Sequence, residues 1–188
     1  MSSREGKLFV ISAPSGAGKT TLCNMLRDEF PGIAYSVSYT TRPPRPDETH
    51  GTQYYFVPKE TFEEKIASGD FLEYAVVHEN YYGTSGNEVK KNLAGGKNIL
   101  LDIDPQGAMQ LKGKFDRGVY IFIMPPSIDT LRRRLTLRNN TRESIEIRLA
   151  NAAGEIAYKN RYDYIIVNDA LEHAYAELSD IYRREENK

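Results

Sequence analysis

The chain has one cysteine, Cys23, and no tryptophan. A lone cysteine excludes a disulfide framework and a cysteine-rich zinc module, and it suits a reducing compartment. Charge of one sign is also missing: 25 Lys and Arg against 26 Asp and Glu leave a formal net charge of −1. That excludes a broadly basic nucleic-acid binder and an acidic tail protein, although local patches stay open. Long hydrophobic runs are absent as well. Runs such as residues 8–11 and 120–124 fall far short of the ~20 apolar residues that a membrane-spanning helix needs. The opening Met1-Ser2-Ser3-Arg4-Glu5-Gly6-Lys7 leads into no long apolar stretch and does not read as a secretory signal. These absences lead us to expect a soluble, cytoplasmic protein without nucleic-acid or membrane partners.

What is present is ordinary for one globular domain. The 188 residues are 40% hydrophobic and 27% charged, with 14 Gly and 9 Pro. A chain of this length can bury about 70% of its unfolded surface and needs no metal or disulfide for stability. Lys7-Leu8-Phe9-Val10-Ile11-Ser12 reads as a buried strand. A Gly/Pro/Ser loop follows, then a helix over 20–30 with Leu22, Leu26 and Phe30 on one face and Pro31-Gly32 as its stop. From about 35 to 97 the texture changes: Tyr35-Ser36-Val37-Ser38-Tyr39 alternates like a strand, a proline-rich turn covers 42–46, and a short helix covers 59–67. Further buried strands are expected at 98–103, 118–123 and 164–167, with helices at 127–138, 143–158 and 172–184. Continuous apolar strands alternating with helices imply an α/β fold with a parallel sheet covered on both faces.

Ala13-Pro14-Ser15-Gly16-Ala17-Gly18-Lys19-Thr20 lies between the first strand and the first helix. It matches the phosphate-loop pattern G-x-x-x-x-G-K-[ST], except that Ala13 stands at the first glycine. Small residues let consecutive backbone N–H groups wrap phosphates, and the helix N-terminus adds partial positive charge. Lys19 is expected to reach the β- and γ-phosphates and the Thr20 hydroxyl to ligate Mg²⁺. Ser15, Gly16, Ala17, Gly18, Lys19, Thr20 and Thr21 form the expected triphosphate cradle. Asp102 ends an apolar run as a metal-directed aspartate does at the carboxyl end of a core strand. Asp104 follows two positions later on the same side. Arginines gather at Arg42 and Arg45 in a stiff proline turn, at Arg132–Arg134 and Arg138, and at Arg148. Guanidiniums held this way can grip a phosphate or close over a transferring one. Arg132 and Arg133 are expected on a solvated helix face.

At this point the chain resembles the guanylate kinase family, enzymes that convert GMP and MgATP to GDP and ADP. The resemblance runs from about residue 6 to 184. It rests on the phosphate loop, Ser36-Val37-Ser38-Tyr39-Thr40-Thr41-Arg42, Tyr54-Tyr55-Phe56, Tyr81-Tyr82-Gly83-Thr84, Leu101-Asp102-Ile103-Asp104-Pro105-Gln106-Gly107 and Ile165-Ile166-Val167-Asn168-Asp169. It implies a P-loop NTPase-type parallel-sheet core (about 5–35, 97–126 and 158–186), a GMP-binding α+β insertion (about 36–96) and a helical lid (about 127–157), together one domain over 5–186. It also implies that Arg42, Arg45, Tyr54 and Tyr82 hold the GMP phosphate, and that Ser38, Glu73, Thr84 and Asp102 surround the guanine. Lys19, Arg134, Arg138 and Arg148 would stabilise the transferring phosphoryl group, and Asn168 would lie near the adenine of ATP. Mg²⁺ would be held by Thr20 and by Asp102, directly or through water. The loop after Arg138 is one residue shorter than the family's usual loop, which leaves Arg142 placed to substitute for or assist a neighbour. Oligomeric state stays open between monomer and dimer.

The base assignment has a physical basis of its own. Guanine presents the N1–H and N2–H₂ donors and the O6 acceptor on one edge. An ionised Glu73 can accept both donors, Asp102 a further N2 hydrogen, and the Ser38 and Thr84 hydroxyls can donate to O6. Adenine lacks these donors and would leave a desolvated carboxylate unpaired, a mismatch that can discriminate by about 10⁴–10⁵. Two other readings share part of the pattern. A protein-binding module of the same fold would lack the loop lysine or the lid arginines, and a phosphate-loop kinase for another small phosphorylated substrate would not need Glu73 and Asp102 together. Simple nucleotide hydrolysis leaves Ser38 and Thr84 unexplained. Glu73→Gln should therefore cut turnover with GMP more than it weakens ATP, as measured by steady-state kinetics in each substrate; equal losses in both would argue against the base contact.

Overall fold

The computed structural model describes residues 5–77, 79–115, 117–137, 141–186 and 188. The first strand, β1 (Leu8–Ser12), is buried along its whole length, and helix α1 (Lys19–Glu29) follows it. Alternation along β1 sends Phe9 and Ile11 to one face of the sheet and Leu8 and Val10 to the other, each into a separate core cluster. The expected strand at 35–39 is two strands instead. β2 (Ala34–Tyr35) joins the sheet of β1, whereas β3 (Ser38–Thr40) belongs to a second sheet. The alternating pattern could not reveal this break, because both halves keep period two.

The second sheet has the order β4-β3-β6-β5, built with β4 (Tyr54–Phe56), β5 (Phe71–Val77) and β6 (Asn80–Ser85). Between them lies α2 (Lys59–Ala67), at the expected place. Phe62 of α2 is fully buried and packs its ring against Phe71 at 4.4 Å and stacks on Tyr81 at 5.1 Å between centroids. Gly83 of β6 makes room for it, since a Cβ there would lie 2.9 Å from Phe62 Cζ. After α3 (Gly86–Ala94) the chain returns to the first sheet as β7 (Ile99–Asp102), then forms α4 (Pro105–Lys112) and β8 (Val119–Met124). Two helices, α5 (Ile128–Thr136) and α6 (Arg142–Ile156), share a small core of Leu131, Leu135, Ile145, Leu149 and Ala152. A 3₁₀ turn, β9 (Tyr164–Val167) and α7 (Leu171–Glu186) close the chain.

The first sheet is all parallel, in the order β2-β7-β1-β8-β9. α1 and α7 cover the face that carries Phe9 and Ile11, through Leu22, Leu26 and Leu178, and α3 and α4 cover the other through Val89, Leu93 and Leu111. From β1 the chain leaves toward the β2 edge, and from β7 it crosses to the far side of β1. The carboxyl ends of these neighbouring strands therefore open a crevice, the usual ligand position in open α/β sheets. Cys23 lies buried in the core beside Leu22 and Leu26, so its part is packing. Among the described residues no helix is long and apolar enough to cross a membrane. Phe62→Ala should cost roughly 3–5 kcal/mol of stability by denaturant unfolding, and a loss under about 1 kcal/mol would contradict the packing of α2 on the second sheet.

Candidate functional site

The loop between β1 and α1 reaches the crevice with two residues in left-handed backbone, Gly16 (φ 91°) and Gly18 (φ 99°). Gly18 is the N-cap of α1, no side chain caps that end, and the first turn carries no acidic residue. Its amide groups thus remain available to an anion. Both glycines also allow close approach. A Cβ on Gly18 would lie 2.3 Å from Asn168 Nδ2, and one on Gly16 would lie 3.0 Å from Leu135 Cδ2 and 3.1 Å from Leu131 Cδ1. The buried Asn168 donates from Nδ2 to the Ala17 carbonyl at 2.8 Å, so in this structure it braces the loop from below. Ser15, Gly16, Gly18, Lys19, Thr20 and Thr21 line the cleft, while Ala17 is fully buried beneath it.

Lys19 projects from the start of α1 and donates to the Ile103 carbonyl at 3.0 Å. Its Nζ lies 2.6 Å from Asp102 Oδ1, a pairing made possible because Asp102 sits beside Ile11 at the end of β1. Burial works against the ammonium, but Asp102 outweighs it and raises the pKa above the ordinary lysine value. Asp104 takes a different job at the neighbouring position: its Oδ1 accepts from Gln106 N at 2.8 Å and Gly107 N at 3.2 Å, capping α4. Both aspartates line the cleft, as does the exposed Thr20. Hydroxyl and carboxylate oxygens are a hard donor set, too few for a protein-only cage and suited to a divalent cation that keeps several waters. Among the described residues no three His, Cys, Asp or Glu side chains gather to hold a metal by themselves. His50 and His173 make no such group, and His78 lies outside the described residues.

The opposite wall comes from the second sheet. Glu73 of β5 and Thr84 of β6 are cross-strand partners, and Thr84 Oγ1 donates to Glu73 Oε1 at 2.5 Å. Glu73 is 3% exposed, and its pKa is pushed up to about 7. Burial is the main cause; the Thr84 bond and, more weakly, Lys114 and Lys19 oppose it, while Asp104 adds to it. Ser38, Tyr54, Tyr82 and Arg45 line the same wall. Burial pushes the Tyr54 phenol up to about 12. Arg42 lies behind Tyr82, donating from Nε to its hydroxyl at 3.2 Å. Its Nη2 also bonds both oxygens of Glu48, at 2.8 and 2.9 Å. Glu48 additionally accepts from the Arg45 backbone N–H at 2.8 Å, so it orders the whole arginine turn. Sequence reasoning missed Glu48, because a carboxylate after a proline-rich turn looks like any solvated charge.

The α5–α6 pair overhangs the loop. Arg134 donates from Nη2 to the Asn168 carbonyl at 2.9 Å and from Nη1 to the Ala17 carbonyl at 3.4 Å. Arg148 lines the cleft from α6, together with Glu155 near the end of that helix. Burial raises the Glu155 pKa, and a hydrogen bond with the Ser15 backbone counteracts part of the rise. Glu155 was not singled out in the sequence either, since nothing in its helical spacing marks it. Arg132 pairs with Glu146 across the two helices, and Arg133 is exposed, as expected for a solvated face. Arg142 is exposed at the start of α6 and does not line the cleft. Arg138 lies outside the described residues.

Comparison with known proteins gives this cleft a family. Residues 5–185 match the family model for guanylate kinase. The guanylate kinase of Geobacter sulfurreducens is 52% identical over 179 residues, which span 95% of this chain and 88% of the relative. The crystal structure of guanylate kinase from Anaplasma phagocytophilum superposes with a TM-score of 0.83 at 37% identity, over 98% of this chain and 88% of that one. Shikimate kinase from Bacteroides thetaiotaomicron, at 15% identity and a TM-score of 0.53, covers 94% of this chain and 98% of its own. That distant likeness concerns the fold alone, a phosphate-loop kinase fold. With a family model spanning nearly the whole chain and a half-identical relative of similar length, the chain belongs to the guanylate kinase family.

Proposed function

We infer that the protein is an ATP:GMP phosphotransferase that uses this cleft to pass the γ-phosphoryl group of MgATP to GMP, and to dGMP, giving ADP and the nucleoside diphosphate. The observation that carries the reading is the meeting of two unlike walls in one crevice. One is a phosphate loop on an uncapped helix end, and the other a buried Glu73–Thr84 pair matched to the guanine edge. In this reading residues 36–96 bind GMP, 127–157 act as the lid, and the rest is the core of a single domain.

Each residue's part follows from its surroundings. Glu73 accepts from guanine N1–H and N2–H₂, Asp102 from the remaining N2 hydrogen, and Ser38 offers its hydroxyl toward O6, joined by Thr84 when its single proton turns from Glu73 to the base. Arg42, fixed by Glu48, and Arg45 clamp the GMP phosphate with Tyr54 and Tyr82. Ser15 to Thr21 cradle the ATP phosphates, Asn168 stands at the adenine end, and Thr20 and Asp102 are the residues that would hold Mg²⁺. When bound, that cation supplies positive charge to the polyphosphate and a template for its geometry. An oxygen of the GMP phosphate attacks the γ-phosphorus directly, a new P–O bond forms, and the bond to the β-phosphate oxygen breaks to release ADP. Lys19, Arg134, Arg138 and Arg148 spread the charge of the transferring group, so the protein contributes alignment and electrostatics and forms no covalent intermediate. Lys19 must first exchange Asp102 for phosphate oxygens, an easy trade because the ammonium stays charged throughout.

The reading is tested by measuring ADP formation from MgATP with GMP, dGMP, AMP, CMP and UMP as separate acceptors and with no acceptor. Turnover confined to GMP and dGMP is expected; equal turnover with AMP would remove the Glu73 assignment, and binding of GMP without any turnover would favour a recognition module. Lys19→Met should lower kcat by about 10²–10³ with little change in the KM for GMP; a loss confined to KM would contradict its role. Because Glu73 must be ionised to accept guanine's donors, KM for GMP should rise as pH falls below about 7. The rise should approach tenfold per pH unit. The phosphate of GMP itself titrates near ~6, and Glu73→Gln should leave only that component in the profile.

A further inference from the structure

Glycine is the poorest helix former after proline, yet Gly107 occupies the first turns of α4 with no left-handed backbone to require it. What excludes a side chain there is the carboxylate across the crevice. A Cβ on Gly107 would lie 2.2 Å from Glu73 Oε2, 2.9 Å from Glu73 Cδ and 3.5 Å from Asp104 Oδ2. Glu73 is 3% exposed and its other oxygen is tied to Thr84 at 2.5 Å, so it can yield only toward the cleft and by straining or losing that bond, out of the position it now holds. The carboxylate is therefore caught between a hydroxyl on one strand and the bare backbone of a helix in the other sheet's layer.

The same stretch of chain touches β5 at two further points. Gln110 donates from Nε2 to the Tyr74 carbonyl at 2.7 Å and accepts from Tyr74 N at 3.4 Å. Lys114, just past the helix, donates to the Leu72 carbonyl at 2.5 Å. Positions 107, 110 and 114 share one helical face by their i, i+3, i+7 spacing, and they meet three consecutive residues, Leu72, Glu73 and Tyr74. β5 is the edge strand of its sheet, and the Gln110 amide pairs with its free side much as another strand would.

We propose that α4 sets the geometry by which guanine is read: Gly107 is a positioning residue that reserves the space of the Glu73 carboxylate, and Gln110 and Lys114 hold β5 in the register that presents it. The proposal rests on the reading of Glu73 as the base-recognising carboxylate. A bidentate acceptor works only when both oxygens face the two donors, and a displacement near ~1 Å can cost about 10²-fold. A methyl group at 107 imposes a displacement of that size on Glu73 while leaving the phosphate loop untouched.

The test measures KM for GMP and for ATP, kcat and thermal stability in Gly107→Ala, Gln110→Ala, Gly113→Ala and Glu73→Gln, with AMP as the competing acceptor. Gly113 ends the same helix with its nearest neighbour, the Gln110 carbonyl, 3.8 Å from a built Cβ, so its variant controls for glycine replacement alone. Gly107→Ala should raise KM for GMP by about 10- to 100-fold and reduce the preference for GMP over AMP, with KM for ATP within about twofold. Gln110→Ala should show the same split on a smaller scale, and Gly113→Ala should match the parent. If Glu73→Gln impairs GMP use while Gly107→Ala and Gln110→Ala do not, the positioning role is overturned and the base assignment stands. If Glu73→Gln leaves GMP use intact, the base assignment fails and the proposal with it. Parallel loss of GMP and ATP in a folded Gly107→Ala also overturns it, and should that variant not fold, Gln110→Ala decides alone.

Discussion

A carboxylate kept out of water needs a reason to remain there, and within the protein alone Glu73 has little to keep it charged. Thr84 supplies one short hydrogen bond, two lysines add weak attraction, and burial together with Asp104 pulls the other way. Desolvating an unpaired carboxylate is costly, and a ligand carrying two adjacent N–H donors relieves that cost directly. Adenine, cytosine and uracil do not offer this pair on the same edge. In the proposed function, discrimination among bases would follow from a protein group left under-satisfied until the right partner arrives, more than from the shape of the pocket.

Three cations around the cleft are instead already partnered. Lys19 is held by Asp102, Arg42 by Glu48, and Arg134 by two carbonyls at the rim of the phosphate loop. In the proposed function these contacts would hold the cations in near-final positions, so that phosphates would replace existing partners and need not order loose side chains. The fold makes this possible through its parallel sheet. β1 and β7 end side by side while their helices depart to opposite faces, which brings Lys19, Asp102 and Asp104 together. The second sheet is then set against α4 so that Glu73 reaches the same space. Leu131 and Leu135 pack close to Gly16, tying the α5–α6 pair to the loop it overhangs.

Much of the core could be read directly from the chain. Runs such as Phe9-Val10-Ile11 and Ile121-Phe122-Ile123 have no solvated face, so they announce buried parallel strands, and the Gly18-Lys19-Thr20 loop marks a strand-to-helix turn that does line the cleft. β5 was not legible because its pattern breaks at the residue on which the proposed function rests. Glu73 is a charged residue pointing inward, and the register shifts between Phe71 and Glu73, so the alternation that marks a half-buried strand is broken where the site needs it. β6, with Asn80, Gly83 and Ser85, has the composition of a turn, and α4 opens with Pro105-Gln106-Gly107, which reads as a turn as well. The single strand expected over 35–39 splits between two sheets, a distinction that local periodicity does not contain. Glu48 and Gly107 draw their meaning from contacts with Arg42 and Glu73, and composition alone does not mark such pairs.

The central claim is that one buried carboxylate waits near neutrality for guanine's two donors. Its most direct test is a carboxyl-carbon NMR titration of Glu73 in the protein labelled at glutamate, with Glu73→Gln used to assign the signal, free and saturated with GMP. The account predicts a midpoint at about 7 in the free protein and a clear fall when GMP is bound. An ordinary carboxylate midpoint in the free protein, or one that GMP leaves unmoved, would contradict it.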